Sequence, residues 1–344
     1  MSNNKKYVWG GLIIILIILV GIGFSNRDSG IQTGTVYTIG APLPLTGKSA
    51  SIGERVKTAM EIAVTEVNDE NDFELRVIYD DDKGESPTAL SVVQKMITVD
   101  KVKVLIGLLK SDPLLAVAPV TEKAQVILLS PTAGAEAISQ AGDFVFRNIE
   151  IPDAHGLGMA DFFKSKGVEK IALFTAQASN AKSYSAAFKK HFELNGGEIV
   201  STIDYNPDAT DFRTDIAKAK AAGAVAIYLG VATAKDSGLL VKQIRETGFT
   251  GIIGASVATE AKEFLDIAQA AAEGIIITAA PFDTDEPDNQ AFKEAFIARA
   301  NGNPPDGFAA NGYDAVKLIV LALKSCDGDQ DPACIRDFLY GVKN

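Results

Sequence analysis

The residues best placed to do chemistry in this chain are hydroxyls and backbone donors rather than acid–base pairs. After an apolar strand at 126–130, Ser130, Thr132 and the N–H groups of Ala133 and Gly134 form a turn at the strand's C-terminal end that reads as the opening of a helix. Donors grouped at a helix N-terminus favour an anion, so a carboxylate could be held there without a basic residue. The same residue types also serve as plain helix caps, and the sequence leaves both uses open. Histidine occurs twice, as His155 and His191, both at positions that read as helix surface, and neither has neighbours at metal-ligand spacing. There is no Gly-x-Ser-x-Gly elbow, phosphate loop or glycine-rich dinucleotide turn. The chain is equipped to bind something rather than to transform it, so no enzyme activity, cofactor or metal is expected.

Cys326 and Cys334 flank Asp327, Asp329 and Asp331. Outside the cytoplasm, a pair this close reads as a disulfide closing a small loop. The alternating aspartates hint at a calcium loop, but its required glycine position holds Pro332 and its final acid position holds Phe338.

The elements that must position these residues begin after an apolar run at 7–24, which follows Lys5 and Lys6. Its length is just enough to span a bilayer, with Tyr7 and Trp9 at the cytoplasmic edge and Phe24 at the other, and Lys/Arg-rich flanks stay inside. The expectation is a single N-terminal span in the cell membrane with the bulk of the chain extracytoplasmic. A cleaved signal, giving a secreted or periplasmic protein, is the alternative. The net charge of −11 argues against a nucleic-acid partner. The run Asp80, Asp81, Asp82 reads as a solvated loop end.

From residue 36 onward strands and helices alternate. Strands are expected at 36–41, 75–79, 102–107 and 126–130, with helices at 52–68, 86–99 and 113–123 between them. A second series has strands at 170–175, 198–205, 225–230, 251–254 and 274–279. Its helices fall at 154–166, 183–195, 211–221 and 237–248, and two more follow at 290–300 and 307–324. Apolar strands separated by amphipathic helices imply α/β lobes, each a mostly parallel sheet flanked by helices. Ligand-bearing loops then lie at the C-terminal ends of the strands.

The segment IGAPLPLTGKSASIGER at 39–55, followed by AMEIAVTEVN at 59–68, resembles the opening of the leucine/isoleucine/valine-binding protein family, the type I periplasmic solute-binding proteins. Later stretches resemble the same family in the same order: Asp80 with Asp81, 104–107 with Ser111, 129–133, Phe146 with Arg147, Gly196 with Gly197, Asp211 with Phe212, 248–251 and 272–274. The resemblance implies two lobes joined by three crossovers, near 148–153, 279–282 and 324–334, that close on a small ligand. The implied organisation is a membrane anchor or signal at 1–28, a linker at 29–35, a first lobe from 36–150 with 281–324, and a second from 151–280 with 325–344. Members of the family normally continue past the helix at 335–340, so a trimmed lobe and a fragment are both open.

The resemblance also implies a site. Ser111, Ser130, Thr132 and Ala133 would hold a ligand carboxylate, with Asn180, Thr233 and Ser256 contributing from the second lobe. In amino-acid-binding members an acid holds the ligand ammonium, and this chain has Ser256 there. Asn180 stands where an aromatic is usual, and Ala232 and Thr233 replace a tyrosine; Glu260 and Asp236 are acids at other offsets. A carboxylate, an amide or another small polar metabolite therefore fits as well as an amino acid. The implied function is solute capture for an ABC importer, with permease and ATPase subunits as partners. A ligand-sensing ectodomain with a separate signalling partner is the alternative.

Overall fold

The computed structural model of the protein describes residues 34–279, 282 and 286–342. The expected anchor, with Tyr7, Trp9 and Phe24, lies outside them. Among the described residues no helix is long and apolar enough to cross a membrane.

The first series runs β1 (Val36–Leu43), α1 (Ala50–Glu70), β2 (Glu74–Asp81), α2 (Ser86–Thr98), β3 (Val104–Ile106), α3 (Ser111–Ala124), β4 (Ile127–Ser130) and β5 (Val145–Arg147). The second starts with α4 (Pro152–Ser165), β6 (Lys170–Ala176), α5 (Ser179–Leu194), β7 (Glu198–Tyr205), α6 (Arg213–Ala221) and β8 (Ala226–Gly230). It closes with α7 (Ala234–Glu246), β9 (Ile252–Ala255), α8 (Lys262–Ala268) and β10 (Ile275–Ile277). Three helices follow: α9 (Pro287–Arg299), α10 (Gly307–Ser325) and α11 (Pro332–Gly341).

The strands form two five-stranded sheets, ordered β2-β1-β3-β4-β5 and β10-β9-β8-β6-β7, and every pairing is parallel. Each sheet is covered on both faces, which is why β1 is buried without interruption from Ile39 to Leu43. One face of the first sheet packs on α1 and α10, through Val56, Met60, Ala63 and Val67 at helical spacing and Ala315, Ile319 and Leu323 opposite. The other face packs on α2 and α3. In the second lobe, Phe163, Phe188 and Phe192 of α4 and α5 cover one face and Leu240, Val241 and Ile244 of α7 the other.

The C-terminal segment departs from expectation. Cys326 and Cys334 form a disulfide, which turns the chain back on α10. Amphipathic α11 then buries Ile335 and Leu339 in the first lobe's core, and Tyr340 meets Phe146 of β5 edge-on at 5.2 Å. Residues 325–342 thus belong with the first lobe, not the second, and the segment at 324–334 is a disulfide-closed turn rather than a crossover. The chain passes between lobes after β5 and again between β10 and α9; Ala280 and Pro281, within the expected second crossover, lie outside the described residues. The calcium reading also fails locally, because Asp331 caps α11, accepting from the N–H groups of Ala333 and Cys334.

Candidate functional site

The cleft between the lobes is floored by apolar side chains, among them Ile52, Leu109, Val257 and Phe308, and rimmed by polar ones. Its cavity of about 80 Å³ compares with 10–15 Å³ for one water, so it has room for several waters or one small molecule. Contacts across the mouth hold the lobes shut. Lys48 pairs with Asp208, the Ser179 hydroxyl donates to Asp112, and the Glu136 N–H donates to Ser183 Oγ at 3.1 Å.

The first-lobe wall is built where β3 and β4 end. Ser130 Oγ donates to the Leu108 carbonyl at 3.0 Å and accepts from the Ala133 N–H at 3.2 Å, and the residue is fully buried. Both Ser130 and the Ala133 N–H are therefore committed to shaping the turn and do not face the cleft. Thr132 lines the cleft, but its hydroxyl proton is given to the Leu109 carbonyl at 2.8 Å, so toward a ligand it offers only lone pairs. Ser111 Oγ accepts from the Ala135 N–H at 3.1 Å, which leaves its own proton free to donate into the cleft. The Gly134 N–H is likewise unclaimed among the described residues. No α-helix opens after β4: the turn leads to a short 3₁₀ stretch, Glu136–Gln140, so free donors rather than a helix dipole would hold an anion here.

On the second lobe, Asn180 lines the cleft with its side-chain amide unpaired among the described residues. Thr233 also lines it, but its hydroxyl donates to Asp236 Oδ1 at 2.6 Å and accepts the Asp236 N–H, making it the N-cap of α7. Capping is thus what the geometry assigns to Thr233. Ser256 is fully buried, accepts the Val231 N–H at 3.2 Å and does not line the cleft. Neither alternative acid is available to an ammonium. Asp236 is saturated by Tyr205 Oη, the N–H groups of Ala232 and Thr233, and the Thr233 hydroxyl. Glu260 lies outside this cleft, facing Arg55, with burial pushing its pKa up against the pull of that guanidinium.

Sequence reasoning missed two residues that line the cleft and one that backs them. Tyr184, four residues and one helical turn after Asn180, reaches the cleft from α5, and its buried hydroxyl has no hydrogen-bond partner. Its spacing from Asn180 was the available signal. His155, expected at the surface, is buried behind it, edge-on to the Tyr184 ring at 5.3 Å, and burial lowers its pKa. Lys110, adjacent to Ser111, stretches across the cleft and donates to the Ala232 carbonyl at 2.9 Å. The residue as a whole is half-buried, yet its ammonium end is enclosed, and that desolvation lowers its pKa against the distant support of Asp236 and Asp112. Among the described residues, no group of three His, Cys, Asp or Glu could hold a metal ion.

The sequence model of the family described as periplasmic binding protein matches residues 36–343. A Leu/Ile/Val-binding protein homolog of Brucella melitensis is 28% identical over 312 residues, covering 89% of this chain and 83% of the relative. A branched-chain amino acid transporter substrate binding protein from Streptococcus pneumoniae, solved with isoleucine, superposes with a TM-score of 0.82 at 27% identity, covering 90% of this chain and 89% of that one. A solute binding protein of an ABC transporter from Rhodopseudomonas palustris, solved with 3,4-dihydroxy benzoic acid, gives 0.79 at 26% identity, covering 87% and 84%.

Proposed function

The chain belongs to the periplasmic binding protein family, and from that premise we propose that it captures a small polar ligand by lobe closure and delivers it to an ABC importer. The observation that carries the reading is the cleft itself. It is small, apolar at its floor and shut by contacts from both lobes, with unclaimed donors of Ser111, Gly134, Asn180 and Tyr184 converging on it. A closed clamp of this kind must open to load and release, which is a hinge motion about the two inter-lobe connections. The ligand is amino acid-like, an amide or a carboxylate, in keeping with the isoleucine and the dihydroxybenzoate bound by the two structural relatives. The apolar run at 7–24 would keep the binder beside its permease and ATPase partners, with the two lobes on the extracytoplasmic side.

Thermal-shift screening of the full chain against amino acids, amides, carboxylates and sugars tests capture, because a ligand of the folded state raises its apparent stability. At least one of the first three classes is expected to raise the melting temperature. A flat response to every class contradicts the reading.

A further inference from the structure

Of the cations lining the cleft, Lys48 pairs with Asp208 and Arg55 with Asp306, whereas no carboxylate of the described residues lies within 4.0 Å of the Lys110 ammonium. Its one partner is the Ala232 carbonyl on the opposite lobe. An ammonium carries three donors, so two remain for something in the cleft. The acids that support it from a distance are already occupied: Asp236 by its four bonds and Asp112 by Ser179. A desolvated ammonium without an ion-pair partner is costly, and a ligand anion would supply the missing partner.

Three of the other groups in the cleft agree in sign. The Ser111 hydroxyl, the Gly134 N–H and the Tyr184 hydroxyl each have a proton to give. Among the described residues, the one acid lining the site is Glu263, while Ser256 is buried and does not line it. We infer that Lys110 is the specificity-determining counter-ion of this cleft, and that the ligand is a small carboxylate with an apolar body and no ammonium group. Lys110 then reads ligand charge and closure together, since the same ammonium already reaches Ala232 of the second lobe.

This inference rests on the capture reading, and the experiment separates the two. The full chain, wild type and Lys110→Met, is titrated calorimetrically with isoleucine, 3-methylpentanoate (the same skeleton without the ammonium), benzoate and benzamide. The wild type is expected to bind at least one of the two simple carboxylates, and to bind it about tenfold or more tightly than isoleucine or benzamide. Lys110→Met should lose about tenfold or more for that carboxylate, the scale of one charge-assisted hydrogen bond, with little change for benzamide. Lys110→Arg, which keeps the charge, should retain most of the affinity, and unchanged melting of both ligand-free variants shows that they fold. Isoleucine or benzamide binding more tightly than the carboxylates, or Lys110→Met keeping carboxylate affinity within about threefold, overturns the assignment while leaving capture intact. A chain that binds none of these probes and none of the broader panel overturns both.

Discussion

Gly134 of the first lobe lies directly against the Tyr184 hydroxyl of the second: a Cβ built on Gly134 would meet that oxygen at 2.7 Å and the ring at 3.1 Å. The Tyr184 ring cannot easily yield, being buried and held edge-on to His155. The shut cleft therefore requires the absence of a side chain at this position, and the requirement comes from closure rather than from backbone conformation.

Gly134→Ala should consequently bind ligand about tenfold or more weakly, because closed packing tolerates even one added methyl poorly. The lobes themselves should be unaffected, since the clash exists only between them. Calorimetric affinity and the melting temperature of the ligand-free protein check this together. A fall in both by the same margin would point to a folding defect instead.

Tyr184→Phe should separate stability from binding. The hydroxyl is buried without a partner, so removing it leaves the ligand-free protein as stable or up to about 1 kcal/mol more stable. Ligand affinity should drop, on the scale of one hydrogen bond, if that proton is given to the ligand. An unchanged affinity would remove Tyr184 from the site.

Asp82 gives a pH-dependent prediction. Burial raises its pKa from 3.8 to about 6, opposed by the Gly84 N–H that its carboxylate accepts at 2.7 Å. A raised carboxyl pKa means that the folded state holds the proton more tightly than the unfolded chain. That contribution is complete below pH 3.8 and is lost as pH rises through about 6. Asp82→Asn keeps an oxygen for Gly84 and removes the buried charge. It should be about 1–3 kcal/mol more stable than wild type near neutral pH and indistinguishable from it near the unfolded carboxyl value. Denaturant titrations at the two pH values decide it, and equal stability at both would contradict the burial argument.

Reducing the Cys326–Cys334 disulfide, or replacing both cysteines by alanine, should cost about 2–3 kcal/mol from the loop closure alone. The loss should appear as reduced hydrogen-exchange protection in α11, whose Ile335 and Leu339 dock on the first lobe. Ligand affinity should barely move, since neither cysteine lines the cleft. Equal protection with and without the bond would show that α11 is held by its apolar face alone.

The alternation of elements was legible because buried parallel strands are continuous apolar runs and their covering helices carry 3.6-residue stripes. β5 was not legible as a strand: three residues at a sheet edge leave no periodicity to read. The placement of α11 was hidden for a different reason, since its lobe is decided by a disulfide turn and two docked side chains rather than by local pattern. At the site, the turn read from sequence does border the cleft, but several of its groups are paired within the fold. Ser130, Ala133, Thr233 and Ser256 are committed to internal hydrogen bonds, a matter of pairing that composition cannot show. Ser111, Thr132 and Asn180 do line the cleft. Lys110 stood in view beside Ser111, but its reach to Ala232 depends on how the two lobes meet.

The central claim is capture by closure, and small-angle X-ray scattering tests it most directly. Scattering from the full chain is recorded without ligand and then saturated with the compound that most raises its melting temperature. The account predicts a smaller radius of gyration on saturation, with the bound-state curve matching the shut arrangement in which Lys110 meets Ala232. A compound that binds tightly while leaving the curve unchanged from an open, ligand-free form would contradict it.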